Sequence, residues 1–164
     1  MDSVSLATLL EVCRRNSWRI ASAESCTGGL LAAALTETPG SSDVFDCGYV
    51  VYSNQAKIHL LGVDEATIQA FGAVSCEVAA DMSRSALRKT GSDFAASVTG
   101  IAGPGGSEFK PEGRVCFSVA GPDQVIETQT MEFGPLGRDQ VRSRSVEHAI
   151  GMLLQLIHRH DVRR

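Results

Sequence analysis

Apolar positions along the chain follow two alternating periods. Leu6, Leu9, Leu10 and Cys13 recur at i, i+3, i+4 and i+7, the spacing of one face of an amphipathic helix, and that pattern ends near Asn16. Trp18 to Ala23 then predicts a short strand that delivers the chain to Ser25. The apolar run Leu30 to Leu35 predicts a helix, stopped by Pro39 and Gly40 because proline lacks a backbone donor and clashes with the preceding turn. The unit expected is strand, tight turn, helix, with the helix opening on Thr27 and with Gly28 and Gly29 in its first turn.

Further along, "VFDCGYVVYS" is rich in aromatic and β-branched residues and predicts a strand from about Phe45 to Ser53. A helix follows, capped by Ser53 or Asn54 and closed by Gly62, then a short one over Asp64 to Phe71. Ser75 caps the next helix, with Glu77 in its first turn, Arg88 and Lys89 in its last and Gly91 beyond, so charge and cap agree with the helix dipole. "DFAASVTG" alternates as a strand and runs into a glycine-rich loop over 100–113. "GRVCFSVAG" and "QVIETQTMEF", separated by Gly121-Pro122-Asp123, predict an antiparallel hairpin. Val146, Ala149, Ile150, Leu153 and Ile157 form the apolar stripe of a closing helix. Strands alternating with helices, plus one late hairpin, predict a three-layer α/β/α sandwich around a mixed, mostly parallel sheet.

Composition narrows the class without changing that outline. With 43% hydrophobic and 21% charged residues among 164, the chain is expected to form a single soluble domain over 1–164. A formal charge of -4 argues against a nucleic-acid surface, and the arginines Arg138, Arg142 and Arg144 suit a small anion better than a duplex. The five cysteines are widely spaced and contain no CxxC pair, so neither a disulfide framework nor zinc is indicated and reduced thiols are expected. No run approaches the roughly 18 apolar residues of a membrane span, and the N-terminus lacks a secretory pattern, so a cytoplasmic protein with no membrane partner is expected.

In α/β sheets, ligands gather at the carboxyl ends of strands. Three loops there carry candidate chemistry: Ala23 to Gly29, Tyr52 to Lys57 and Thr99 to Gly106. Ser25 lies between a strand and a helix N-terminus, where free N–H groups bind anions; equally, Ser25 and Thr27 could simply cap that helix. A phosphate-binding Walker loop is excluded, since no Gly-Lys-Ser/Thr sequence exists. Lys57, one of only three lysines, falls in a first helical turn, against the dipole. A surface position would explain it, and so would an amine whose pKa is depressed by burial beneath Tyr52. Bringing an ammonium from about 10.4 to near 7 takes on the order of 4 to 5 kcal/mol, more than a dipole supplies, so desolvation is required. A neutral lysine beside a serine would form a nucleophile–base pair. The histidines His59, His148, His158 and His160 show no carboxylate partner in the sequence pattern and are expected to be ordinary surface or core residues.

Taken in order, "AESCTGG", "PGSSDVFDCGYVVYSNQAK", "GAVS", "VTGIAGPGGSEFKPEG" and "RDQVRSRS" resemble the CinA C-terminal domain family over roughly residues 5–155. The sequence departs from that family's pattern at Cys47, Phe109, the Gly105-Gly106 run and Gly137. The resemblance implies a stand-alone form, a homo-oligomer, and hydrolysis of nicotinamide mononucleotide to nicotinate mononucleotide and ammonia, without metal or cofactor. It implies Ser25 as nucleophile, Lys57 as general base, and Tyr52 and Thr99 as helpers in proton transfer or oxyanion stabilisation. The nucleotide would be bound among Thr27, Gly28, Gly29, Asn54, Gly100, Gly103, Arg138 and Arg142. Its phosphate would be received by N–H groups around Gly28 and Gly29 or by the arginines. A non-catalytic nucleotide-binding module and a serine–lysine amidase acting on another small amide are the alternatives.

Overall fold

The computed structural model describes residues 3–163, with side chains from Leu6 onward. In chain order the elements are α1 (Ser3–Asn16), β1 (Ile20–Glu24), α2 (Leu30–Thr36), β2 (Phe45–Val50), α3 (Asn54–Ala56), a π-helical turn over Lys57–Leu61, α4 (Glu65–Phe71), α5 (Cys76–Thr90), β3 (Phe94–Gly100), β4 (Arg114–Ala120), β5 (Ile126–Glu132) and α6 (Arg138–Val162). The strands lie in the order β2-β1-β3-β4-β5. β1 is parallel to β2 and β3, while β4 is antiparallel to β3 and β5. Only β4 is therefore reversed among the described strands, which makes the sheet mixed and mostly parallel, with the hairpin at one edge as the sequence predicts.

Side-chain alternation assigns the layers. Ile20, Phe94, Ala96, Val98, Phe117 and Val119 face α1, α2 and α6. Ala21, Ala23 and Ala95 face the opposite side, where Leu61, Val63, Ile68, Val78 and Met82 pack. That second face is floored by small residues, and polar ones among them lock α5 down: Ser97 Oγ donates to the Ala79 carbonyl at 2.6 Å, and the Ser83 and Ser118 hydroxyls meet at 2.8 Å. Ser53 and Ser75 cap their helices through their side chains, and Gly62 and Gly91 end theirs in the left-handed region, as the sequence predicts; Asp64, expected inside its helix, caps it instead.

Several boundaries differ from expectation: β1 spans Ile20–Glu24 instead of Trp18–Ala23, and the helix expected up to Gly62 is a short α-helix, Asn54–Ala56, continued by the π turn. The second strand ends at Val50 instead of Ser53. More consequentially, no helix opens on Thr27: Gly28 and Gly29 adopt φ of +61° and +99°, and α2 starts at Leu30. The glycines serve a left-handed turn, a conformation that L side chains avoid, and not the first turn of a helix.

Candidate active site

β1 and β3 end side by side, with Glu24 in register with Val98. The next residue, Ser25, continues that pairing by donating its N–H to the Val98 carbonyl at 2.9 Å. Ser25 is thereby fixed at the carboxyl edge of the sheet, the position where α/β proteins assemble sites. Lys57 arrives from α3, as the first residue of the π turn, and its side chain is almost completely buried, at 1% exposure. Its Nζ lies 3.0 Å from Ser25 Oγ, 3.0 Å from the Val51 carbonyl and 3.3 Å from the Tyr52 carbonyl.

Burial pushes the Lys57 amine from its ordinary value near 10.5 down to about 8. Desolvation penalises the ammonium, and among the described residues no carboxylate forms an ion pair with it. The neighbouring Cys26 thiol, pushed up to about 12 by its own burial, stays uncharged near neutrality and provides no counter-ion. Three partners match both protonation states: an ammonium donates to all three, whereas a neutral amine donates to the two carbonyls and turns its lone pair toward Ser25 O–H. In the second arrangement the serine hydroxyl has a base within hydrogen-bond reach.

A cavity of about 290 Å³ opens over this pair, walled by Tyr52, Asn54, Thr99, residues 100–105 and Arg138. It brings together Ser25, Lys57, Tyr52, Thr99, Asn54, Gly100, Gly103 and Arg138 from the sequence reading. Thr99 is buried and donates its hydroxyl to the Ala73 carbonyl at 2.8 Å. Tyr52 meets the amine through its main chain; its side chain stands 58% exposed, with its hydroxyl accepting from Arg138 Nη2 at 2.8 Å. Arg138, the first residue of α6, also donates Nη1 to the Gly103 carbonyl at 3.0 Å, so one guanidinium spans the cavity mouth.

Thr27, Gly28, Gly29 and Arg142 lie outside that lining. Arg142 donates to the Thr27 carbonyl at 3.0 Å and borders a separate hollow with Leu30 and Val146. Both glycine N–H groups are engaged internally: Gly28 donates to the Ser25 carbonyl at 3.1 Å and Gly29 to Glu24 Oε2 at 3.0 Å.

Glu24 is a residue that pattern reading passed over. Fully buried, its carboxylate also accepts from the N–H groups of Leu31 and Ala32 at 3.0 and 2.8 Å, and so occupies the helix end where an external anion was expected. An acidic residue just before a glycine turn and an apolar helix was the available signal. Glu112 and Lys110 were also missed. Glu112 accepts from Gly105 N at 2.6 Å and Gly137 N at 3.1 Å, tying the glycine-rich loop to the start of α6. Lys110 donates to the Phe71 carbonyl at 3.1 Å and to that of Val74, on the opposite wall. Nothing local in the sequence indicates either bridge, since both join segments that meet only in the fold.

A family model of the CinA C-terminal domain matches residues 3–157. The chain belongs to the CinA C-terminal domain family. This CinA domain is 49% identical over 153 residues to a CinA-like protein of Chlorobium limicola, covering 91% of the chain and 36% of the relative. It is 52% identical over 144 residues to a CinA-like protein of Mycolicibacterium paratuberculosis, covering 85% of the chain and 33% of the relative. The CinA domain thus spans about a third of the length of these curated relatives. Among solved structures, the competence/damage inducible protein CihA from Agrobacterium tumefaciens superposes with a TM-score of 0.90 at 41% identity, over 93% of each chain. A CinA superfamily protein from Escherichia coli superposes at 0.88 with 32% identity, over 93% of this chain and 88% of that one. Among the described residues no helix is long and apolar enough to cross a membrane.

Proposed function

We propose that this CinA domain is a serine–lysine amidohydrolase that converts nicotinamide mononucleotide to nicotinate mononucleotide and ammonia. The observation that carries the reading is the contact between the buried Lys57 amine and Ser25 Oγ at 3.0 Å. A site that only binds has no use for a desolvated amine aimed at a hydroxyl. In the proposed cycle, Lys57 takes the Ser25 proton as Oγ attacks the carboxamide carbon. The resulting ammonium returns that proton to the departing nitrogen, ammonia leaves, and an acyl ester remains on Ser25. Water attacks the ester with Lys57 again as base, releasing the carboxylate and restoring the serine. Thr99 and Tyr52 are assigned supporting roles on the cavity wall.

The phosphate is assigned to Arg138 and not to the glycine turn, whose Gly28 and Gly29 N–H groups are already taken. Arg138 donates once to Gly103 and once to Tyr52, and its remaining N–H groups are available for a bidentate contact. Asn54, Gly100 and Gly103 are assigned to the rest of the nucleotide.

The test is ammonia release from nicotinamide mononucleotide by wild type and by Ser25→Ala, with nucleotide binding followed by calorimetry on both. Release that vanishes in Ser25→Ala while binding persists supports the proposal. Binding without release by wild type would identify a nucleotide-binding module, and neither would point to another amide.

A further inference from the structure

We propose that Cys76 and Cys116 constitute a reversible thiol–disulfide site that staples the start of α5 to strand β4. Cys76 is the first residue of α5 and is partly exposed, whereas Cys116 is buried on the sheet face beneath that helix. Both sulfurs rest on one hydroxyl: Thr130 Oγ1 lies 3.2 Å from Cys76 Sγ and 3.5 Å from Cys116 Sγ. Thr130 is the register partner of Cys116 on β5, so all three groups sit on one side of the hairpin.

This proximity is held by packing. Farther along the same helix, Ser83 meets Ser118 on β4 and Ala79 accepts from Ser97 on β3, so α5 cannot slide along the strands without breaking both contacts. Such fixed placement raises the effective concentration of one thiol at the other. Burial pushes the Cys116 thiol up, an effect that its hydrogen bond to Thr130 and the charge of Lys110 only partly offset, so Cys76, the more accessible of the two, is the thiol that meets an oxidant first. Burial also pushes Cys13 and Cys26 up, each to about 12.

A peroxide is the oxidant that suits the chemistry. The more accessible Cys76 thiolate attacks one peroxide oxygen, the O–O bond breaks, and a sulfenic acid and one water result once hydroxide is protonated. The Cys116 thiolate then attacks the sulfenic sulfur, the S–O bond breaks, the S–S bond forms and a second water leaves. Two thiols lose two electrons, which reduce hydrogen peroxide to two waters, and a small dithiol reverses the change by exchange. The consequence reaches the cavity from two directions. Cys116 is the register partner of Thr99, and Cys76 follows Ala73 and Val74 in the wall beside it. The site stands on this geometry alone and does not depend on the amidohydrolase reading.

The experiment exposes the intact folded chain to hydrogen peroxide, alkylates free thiols after denaturation, and maps the peptides by mass spectrometry. The expected result is a loss of two hydrogens per chain, a linked Cys76–Cys116 peptide pair, and full recovery on adding dithiothreitol. Cys76→Ser and Cys116→Ala, made separately, should each abolish the intramolecular link, so either folded variant suffices. Cys76 ending as sulfinic or sulfonic acid without a link would overturn the proposal. So would a link that joins Cys47 instead, or one that survives in either variant.

Discussion

Replacing Lys57 by methionine keeps a long unbranched side chain but removes the titrating amine, so the stability difference between the two proteins reports on that amine alone. In the folded protein the amine loses its proton at about 8, and in the unfolded chain near 10.5. Between those values the unfolded chain holds one more proton than the folded one. Stability therefore rises with pH across that window and is flat below it. At about 1.4 kcal/mol per pKa unit, wild type should gain on the order of 3 kcal/mol relative to Lys57→Met between roughly pH 7 and pH 11. The loss of donors to the Val51 and Tyr52 carbonyls also destabilises the variant, but by an amount that does not vary with pH. The slope, not the offset, carries the test. Urea unfolding of both proteins at several pH values supplies it, because groups common to both cancel in the difference. A difference that stays constant across the window would refute burial as the cause of the depressed value. The same titration predicts that wild-type turnover climbs with pH through about 8 as the base becomes available.

Glu24→Gln removes the charge that three N–H groups at the start of α2 share, and charge-assisted hydrogen bonds contribute about 1.5–3 kcal/mol. A fall in Tm of roughly 4–10 °C by calorimetry is expected, and an unchanged Tm would remove the carboxylate from the helix end. Glu112→Gln weakens the bridge between Gly105 and Gly137 without touching Ser25 or Lys57. It should raise KM for the nucleotide about tenfold with kcat nearly unchanged, and a fall in kcat alone would contradict a positioning role. Gly103→Ala should destabilise by more than about 1 kcal/mol in urea unfolding. The new Cβ would lie 2.4 Å from Glu112 Cδ, at a φ of +88°.

Elements whose signals are local were legible in the sequence. Ser53 and Ser75 announce helix starts because a capping side chain acts within three residues of itself, and the apolar stripe of α6 is periodic over several turns. The reversed strand β4 followed from a short turn that permits only antiparallel pairing. At the site, Ser25 and Lys57 were singled out by a hydroxyl at a strand end and a cation placed against a dipole. Their contact was not visible, because it depends on how far β1 and α3 approach across the sheet edge. The glycine turn was misread for a related reason: "TGGLL" is compatible with a helix start in isolation, and Glu24 folding back onto the N–H groups decides otherwise. Glu112 and Lys110 belong to the same class of long-range bridges.

The supports of the Lys57 amine have a bearing on mutational tolerance. Two of its three partners are carbonyl oxygens, of Val51 and Tyr52, and a carbonyl is the one acceptor that no codon change deletes. Side chains at 51 and 52 can drift while the amine keeps its seat, so long as the backbone path and the burial persist. Gly103 has less latitude, since its φ of +88° strains any L side chain and an added Cβ would displace the Glu112 carboxylate from its N–H partners. Random substitution would therefore damage the rim of this cavity sooner than the anchoring of its base.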